Sequence, residues 1–445
     1  MLGRMRRLAL VLLTALACAP AAAAGPTTYA IGRATCDGLP RLPIETAKGM
    51  CAGLVAGPPA GAFSKRLMKA PRTLLPLDDG RGWLVADLGG WTPGRGAIWR
   101  LTPRRGAPPQ LERLLDRLVL PHGLAMGPDG RVYVGEMSRI IAFDPRAANP
   151  ALTVQTVVSG LPDNRLHANR HPLSAFLFDR DGSLLVNVGA PSDQCLDPQG
   201  RPRGTDRCLE TEGDEPLAGV RRYPYLGGGR WSAKYTMLAR GLRNSLAMVR
   251  HDSGTLLQAE NSIDYPDADA PYEEVNVLVA GRHYGWPYCY EYAETAPGWA
   301  ERKAMDCKGR RHAAPAALLP PHAAPLAMTY YRGSMFPQLQ GRLLMTWHGP
   351  REAGARLVAL EVDAQGVPVA RPRARYPAYA AGKVRQIPYL RGPGVEPIVL
   401  TPGWRAVPGR RPTGAPVGVT VAPDGSIWVA EDHNGTIIRF AVDRP

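Results

Sequence analysis

The sequence predicts an all-β fold, a six-bladed β-propeller of four-stranded antiparallel blades with long loops on one face. Three observations carry this. A tight glycine turn recurs six times, each copy runs straight into a β-rich segment, and helical periodicity is scarce. The clear copies are DGRGWLVADL from Asp79, PDGRVYVGE from Pro128, DGSLLVNVG from Asp181 and PDGSIWVAED from Pro423. SGTLLQAEN from Ser253 and QGRLLMTWHG from Gln340 are weaker copies.

In each copy the glycine (Gly80, Gly130, Gly182, Gly254, Gly341 or Gly425) supplies the positive φ that a two-residue hairpin turn needs. The residues after it are β-branched, aromatic or leucine, as suits a strand packed on both faces, and the segment ends in polar residues. A second strand follows at once in AIWRL (97–101), RIIAFD (139–144) and TIIRF (436–440). Turn, strand, loop, strand at a repeating interval is the pattern of propeller blades. The turn glycines are spaced by 50, 52, 72, 87 and 84 residues, so the later blades carry insertions, expected as loops on one face. Residues 25–60, rich in Pro, Gly and Ala, read as an irregular N-terminal arm outside a propeller of 61–445. Residues 366–416, rich in Pro and Arg, read as a long loop.

Export is expected from the first residues. Arg4, Arg6 and Arg7 precede an apolar run over 8–17 and the small residues Ala21 to Ala24, the pattern of a secretory signal peptide over 1–24 cleaved near Ala24. A lipoprotein reading of Cys18 is the weaker alternative. No later run is apolar enough to predict a transmembrane segment. The six remaining cysteines fall as close couples, Cys36/Cys51, Cys195/Cys208 and Cys289/Cys307, and predict three local disulfides in a periplasmic or secreted chain. The net charge of +15 is scattered through loops beside Pro and Gly. It favours solubility and attraction for an acidic cofactor or substrate over nucleic-acid binding.

Three groups of residues have side chains suited to chemistry. His171 lies ten residues before the Asp181-Gly182 turn, at an inner strand start near the axis, and histidine is the natural base near neutral pH. His122 and His348 sit similarly, so position alone does not choose among them. Arg243 and Asn244, in ARGLRNSLAM, suit a planar anion with carboxylate and carbonyl oxygens, or equally the satisfaction of loop carbonyls. Glu260, Asp264, Asp267, Asp269, Glu273 and Glu274 crowd one stretch of a basic chain. They offer hard ligands for Ca²⁺ or form a solvated acidic loop.

The order of these pieces resembles the glucose/sorbosone dehydrogenase family. His171 ahead of Asp181-Gly182 is followed by Gly241-Leu242-Arg243-Asn244. Then come Glu274-Val275-Asn276, Gly281 and Tyr284-Gly285-Trp286-Pro287, and finally PVGVTVAPDGSIWVAED. The resemblance spans roughly residues 115–442 and implies a six-bladed propeller using pyrroloquinoline quinone (PQQ) and Ca²⁺ to oxidise an aldose or related sugar. By it, His171 is the base, and Arg243 and Asn244 hold the quinone's oxygens. Arg356 is a further cofactor contact, with Arg351 as second candidate, and the main-chain carbonyls of Ser262 and Ile263 bind the metal. Electrons would pass to an external acceptor. Two departures stand out: Ala415 replaces an arginine of the last blade, with Arg410 and Arg411 upstream as substitutes, and the Gly-Asp after the His-bearing strand becomes Gly189-Ala190-Pro191-Ser192-Asp193. The alternatives are a Ca²⁺-dependent lactonase and a non-catalytic propeller that binds a ligand or partner.

Overall fold

A computed structural model describes Tyr29 and residues 31–58, 67–77, 82–104, 107–163, 169–202, 207–302, 304–380, 383–402, 404 and 414–444. The leader over 1–24, Cys18, Gly80, Arg410 and Arg411 lie outside the described residues. Six antiparallel blades ring an axis. From the axis outward, blade I is Pro71–Pro76, Trp83–Asp87, Gly96–Arg104 and Ala107–Leu118; blade II is Leu124–Met126, Val132–Gly135, Ile140–Phe143 and Gln155–Val158. Blade III has Phe176–Phe178, Leu184–Val188, Gly219–Tyr223 and Thr236–Arg240, and blade IV Ala247–Arg250, Leu256–Glu260, Tyr272–Val277 and Ala317–Pro321. Blade V has Pro325–Tyr330, Leu343–Trp347, Arg356–Leu360 and Ile398–Val399, and blade VI Pro416–Val421, Ile427–Glu431, Thr436–Val442 and Met50–Ala56.

The second strand of every blade is the one that each glycine turn introduces, and in all six its residues are buried throughout. Stacked blades explain this, because alternate side chains on one strand face opposite neighbours. Leu84 and Ala86 pack with Val132, Val134 and Phe143 of blade II, whereas Trp83 and Val85 pack with Trp428, Ala430 and Ile437 of blade VI. The five described turn glycines have the expected positive φ, 76° at Gly130 and 84° at Gly425. At Gly425 a Cβ would also come within 2.5 Å of the Met335 backbone nitrogen.

Closure of the ring uses the N-terminal segment. Met50–Ala56, read from the sequence as part of an irregular arm, pairs antiparallel with Thr436–Val442 as the outer strand of blade VI. Its apolar run MCAGLVA finds a buried edge there, which its Pro- and Gly-rich surroundings obscure in the sequence. Cys36–Cys51 and the Arg41–Asp443 pair fasten the arm to that blade, and Trp83 stacks on Trp428 at 4.3 Å across the seam.

The insertions gather over blades III to V. The segment after Tyr272–Val277 adds Arg282–His283 parallel to Thr236–Arg240 and then climbs onto the end where the innermost strands begin. There Tyr288, Trp286 and Trp299 pack with Ala190 and Ile263 around Cys195–Cys208 and Cys289–Cys307. All three predicted disulfides are therefore formed. Part of 366–416, read as a long loop, is a hairpin of Arg375–Ala380 and Lys383–Pro388. Among the described residues no helix is long and apolar enough to cross a membrane.

A carboxylate ends the second strand in four blades and grips the chain entering the same blade's innermost strand. Asp87 accepts from Ala70 N (2.8 Å), Glu136 from Val119 N (2.6 Å), Glu260 from Asn244 N (3.0 Å) and Glu431 from Ala415 N (3.0 Å). Glu431 also accepts from the backbone of His433 and Asn434 and from Thr436 Oγ1. Glu431→Ala orphans these buried donors and is expected to destabilise the fold by about 3 kcal/mol. Calorimetry should then show a Tm lower by a few degrees, with Glu431→Gln in between.

Candidate active site at the propeller axis

The clasped end of the ring holds the polar side chains, and they form two clusters facing the axis. On blades III and IV, Gly241 starts the turn that presents Arg243 and Asn244. Its φ is +70°, and a Cβ there would lie 2.3 Å from His283. Gly241 O accepts the Trp286 N–H and Arg240 O the Tyr284 N–H, so the GLRN and YGWP motifs are bonded to each other. Arg243 is nearly fully buried. Nη1 donates to Asn261 O (2.9 Å), and Nη2 donates to Asp193 Oδ1 (2.7 Å) and Asp264 Oδ2 (2.9 Å). Asp193 is held below the usual carboxylate range: burial opposes ionisation, and Arg243 together with hydrogen bonds from Asp264 N and Gln194 outweighs it. The capping cluster aims Asp193, since Trp286 Nε1 donates to its carbonyl and Trp299 Nε1 to that of Gln194. The acidic residue that the sequence displaced to position 193 thus reaches the site arginine.

His171 stands beside this arginine. Its Nδ1–H donates to Ala190 O (2.5 Å), and Ala190 N donates to Arg243 O (2.7 Å). That tautomer leaves Nε2 as the acceptor. Gly189 is obligatory here, because a Cβ would come within 2.5 Å of His171 Cβ. Burial, then the Arg243 charge, pushes the His171 pKa down to about 3, so the ring is a neutral acceptor at physiological pH. Asn244 Oδ1 is buried without a hydrogen-bond partner among the described residues.

The second cluster joins blades I, II, V and VI. Arg72 Nε donates to His122 Nδ1 (3.1 Å), Arg72 Nη1 pairs with Asp432, and His348 Nε2 meets Asp432 Oδ1 at 3.0 Å. His122 is pushed well below its usual pKa by burial and then by Arg72, and its Nδ1 lone pair is engaged by that arginine. Burial opposes ionisation of Asp432, but His348 and Arg72 prevail and hold it at about 2.

The remaining expected residues divide. Arg356 is buried at the start of its strand, where Nη1 donates to Pro377 O of the blade V hairpin. Arg351 holds the loop after Glu260, donating to the carbonyls of Tyr265 (3.1 Å), Pro266 (3.3 Å) and Asp267 (2.7 Å). Ser262 N donates to Glu273 Oε2, and Ile263 O accepts the Tyr265 N–H. The acidic stretch is not uniformly solvated: Glu260, Glu273 and Glu274 are buried clasps. Burial raises Glu260 to about 7 and Glu273 to about 8. Among the described residues, no three His, Cys, Asp or Glu side chains converge as a metal shell. Ala415 is buried and donates its N–H to Glu431.

A sequence model of the Glucose / Sorbosone dehydrogenase family matches residues 123–388, more than half of the chain, including His171, Arg243, Asn244 and the YGWP turn. The chain belongs to the glucose/sorbosone dehydrogenase family. An uncharacterized protein of Borreliella burgdorferi (strain ATCC 35210 / DSM 4680 / CIP 102532 / B31) is 23% identical over 293 residues, 64% of this glucose/sorbosone dehydrogenase family chain and 63% of the relative. The match thus spans less than two thirds of that curated relative's length. Solved structures share the fold. The calcium structure of the Trichoderma reesei Carbohydrate-Active Enzymes Family AA12 protein has a TM-score of 0.63 at 19% identity, over 90% of this chain and 97% of that one. The holo PQQ domain of Coprinopsis cinerea pyranose dehydrogenase scores 0.62 at 19%, covering 92% and 99%. The PQQ-bound aldose sugar dehydrogenase of Streptomyces coelicolor scores 0.52 at 16%, covering 90% and 100%.

The sequence does not single out Arg72, Arg170 or Asp432 as axis residues, and it marks Asp193 and Asp264 only as parts of an altered motif and an acidic stretch. Only the polar strand ends signalled Asp432, and nothing local marked Arg72. With its pKa depressed to about 2, Asp432 contributes stability that is complete above the unfolded value of 3.8 and lost as pH falls towards 2. Asp432→Asn leaves the buried Arg72 uncompensated and is expected to cost about 3–5 kcal/mol at neutral pH. Denaturant unfolding across pH 2–7 should show that loss narrowing below pH 4.

Proposed function

We propose that the axial end of this propeller is the active site of a sugar oxidoreductase that uses PQQ. The observation that carries the reading is the bridge at Ala190. One residue orients the imidazole of His171 through its carbonyl and fixes the Arg243 backbone through its N–H. The donor set fits a planar anion with carbonyl and carboxylate oxygens: Arg243 supplies charge, and its buried Nε is a donor without a hydrogen-bond partner among the described residues. When bound, the quinone would supply the hydride acceptor. His171 Nε2 takes the sugar's hydroxyl proton as the carbonyl forms, and Arg243 with Asn244 orients the bound oxygens. Arg356 and Arg351 shape the rim by holding the blade V hairpin and the loop after Glu260.

Ca²⁺ fits less well. Of its two expected carbonyl ligands, that of Ile263 is engaged by Tyr265 N, and the carbonyls that follow converge on Arg351. No step is assigned to the metal. A lactonase would need side-chain carboxylates and Asn converging on the axis, and the described residues gather no three His, Cys, Asp or Glu side chains that could hold a metal ion. Three disulfides support an oxidising compartment, periplasmic or extracellular, and electrons would leave to an external acceptor.

The test combines the mature chain with PQQ, with and without Ca²⁺ or EDTA, and reads calorimetric binding and dye reduction over a panel of aldoses. Stoichiometric binding and sugar-dependent reduction are expected, and no binding at micromolar PQQ would favour a non-catalytic propeller. His171→Ala should lower kcat by about 10²–10⁴-fold with PQQ affinity retained. Because His171 titrates near 3, the acid limb of wild-type kcat should carry no step near 6.5 from this group.

A further inference from the structure

Arg243 carries more negative charge than it needs. Its Nη2 meets two carboxylates, and they differ in kind. The Asp193 side chain is 13% exposed, and the disulfide-stapled cap holds its backbone. It is a permanent partner. The Asp264 side chain is 58% exposed, projects from the loop between the second and third strands of blade IV, and also reaches Arg170 Nη2 at 3.1 Å. Arg170 immediately precedes His171 and is itself half exposed. Two arginines therefore share one exposed carboxylate oxygen, directly beside the orienting Ala190 bridge. The formal charge of the four groups is zero with Asp264 in place and +1 without it.

We propose that Arg170 and Arg243 form a carboxylate-binding subsite whose built-in occupant is Asp264, and that a carboxylate of the bound ligand takes its place. The inference rests on the active-site reading above and deepens it. The Asp264 carboxylate marks where a ligand carboxylate is accepted, because charge-assisted donors from two sides already converge there. Exchange of one carboxylate for another conserves the pairing of Arg243, whereas a neutral ligand gains nothing by displacing Asp264. Arg351 and His322 fix the neighbouring carbonyls of the same loop, so Asp264 rotates out from an anchored base. The carboxylate has two possible sources, the cofactor or an acidic sugar such as a uronate.

The test uses the full mature chain, wild type against Asp264→Asn and Arg170→Met, with calorimetric titration by PQQ, by glucuronate and by glucose. Asp264→Asn should bind a carboxylate ligand about three- to tenfold tighter than wild type and Arg170→Met more weakly. Glucose affinity should be unchanged, and the gain in Asp264→Asn should shrink in high salt. Tightening for PQQ assigns the subsite to the cofactor, and tightening for glucuronate alone assigns it to the substrate. If PQQ binds neither protein while glucuronate binds the variant tighter, the subsite stands and the quinone reading falls. Equal or weaker binding of both carboxylates by Asp264→Asn, with Tm showing an intact fold, overturns the proposal.

Discussion

The axis of this propeller depends on the grip of a strand-end carboxylate on the backbone entering its own blade. The chain that enters each innermost strand lies ahead of the sheet ladder, so its N–H groups there have no strand partner. Asp87, Glu136, Glu260 and Glu431 each satisfy one from below, at 2.6–3.0 Å. A neutral acceptor would serve the hydrogen bond alone, as Thr346 Oγ1 does for Ala327 N in blade V. The carboxylate does more at two of them: burial raises Glu260 and Glu431 to about 7 and about 8, so these two hold their protons more tightly than surface acids. Negative charge is concentrated instead on Asp193 and Asp432, which meet arginine and are held below the usual carboxylate range.

That concentration ties the insertions to the chemistry. Trp286 and Trp299 of the cap are remote in sequence from Asp193, yet their indole N–H groups fix the Asp193 segment against Arg243. The long blade IV and V insertions thus act on the site indirectly. One positions a carboxylate, and the other brings Pro377 O over Arg356. A propeller offers such loops a common destination, because every blade ends on the same face and the axis is where they meet.

The repeat was legible because each blade needs the same local physics: a positive-φ glycine, then a strand buried on both faces. The motif order was legible for a related reason. GLRN and YGWP are hydrogen-bonded partners, so neither can drift in sequence without breaking Gly241 O to Trp286 N. Contacts between blades with no shared local pattern were not legible. Arg72 lies in PRTLLP, which reads as an ordinary strand, and its meaning comes only from Asp432, 360 residues away. Met50–Ala56 reads as part of an arm because its partner strand is the last of the chain. The solvated-loop reading of the acidic stretch failed for Glu260, Glu273 and Glu274, since spacing alone cannot tell a clasp from a surface charge.

Ala415 is where these threads meet. The resemblance places an arginine there, and this chain puts a small side chain whose N–H is clasped by Glu431 and whose carbonyl accepts the Asp432 N–H. A buried arginine does occupy this side of the axis, but it comes from blade I as Arg72, and Asp432 neutralises it. Blades I, II, V and VI therefore present a balanced cluster of Arg72, Asp432 and two histidines. On blades III and IV the balance instead includes the exposed Asp264, a carboxylate on a loop. Among the described residues, the charge that an anionic ligand can claim thus lies on the His171 side of the ring, where proton acceptor and cation are held by one residue.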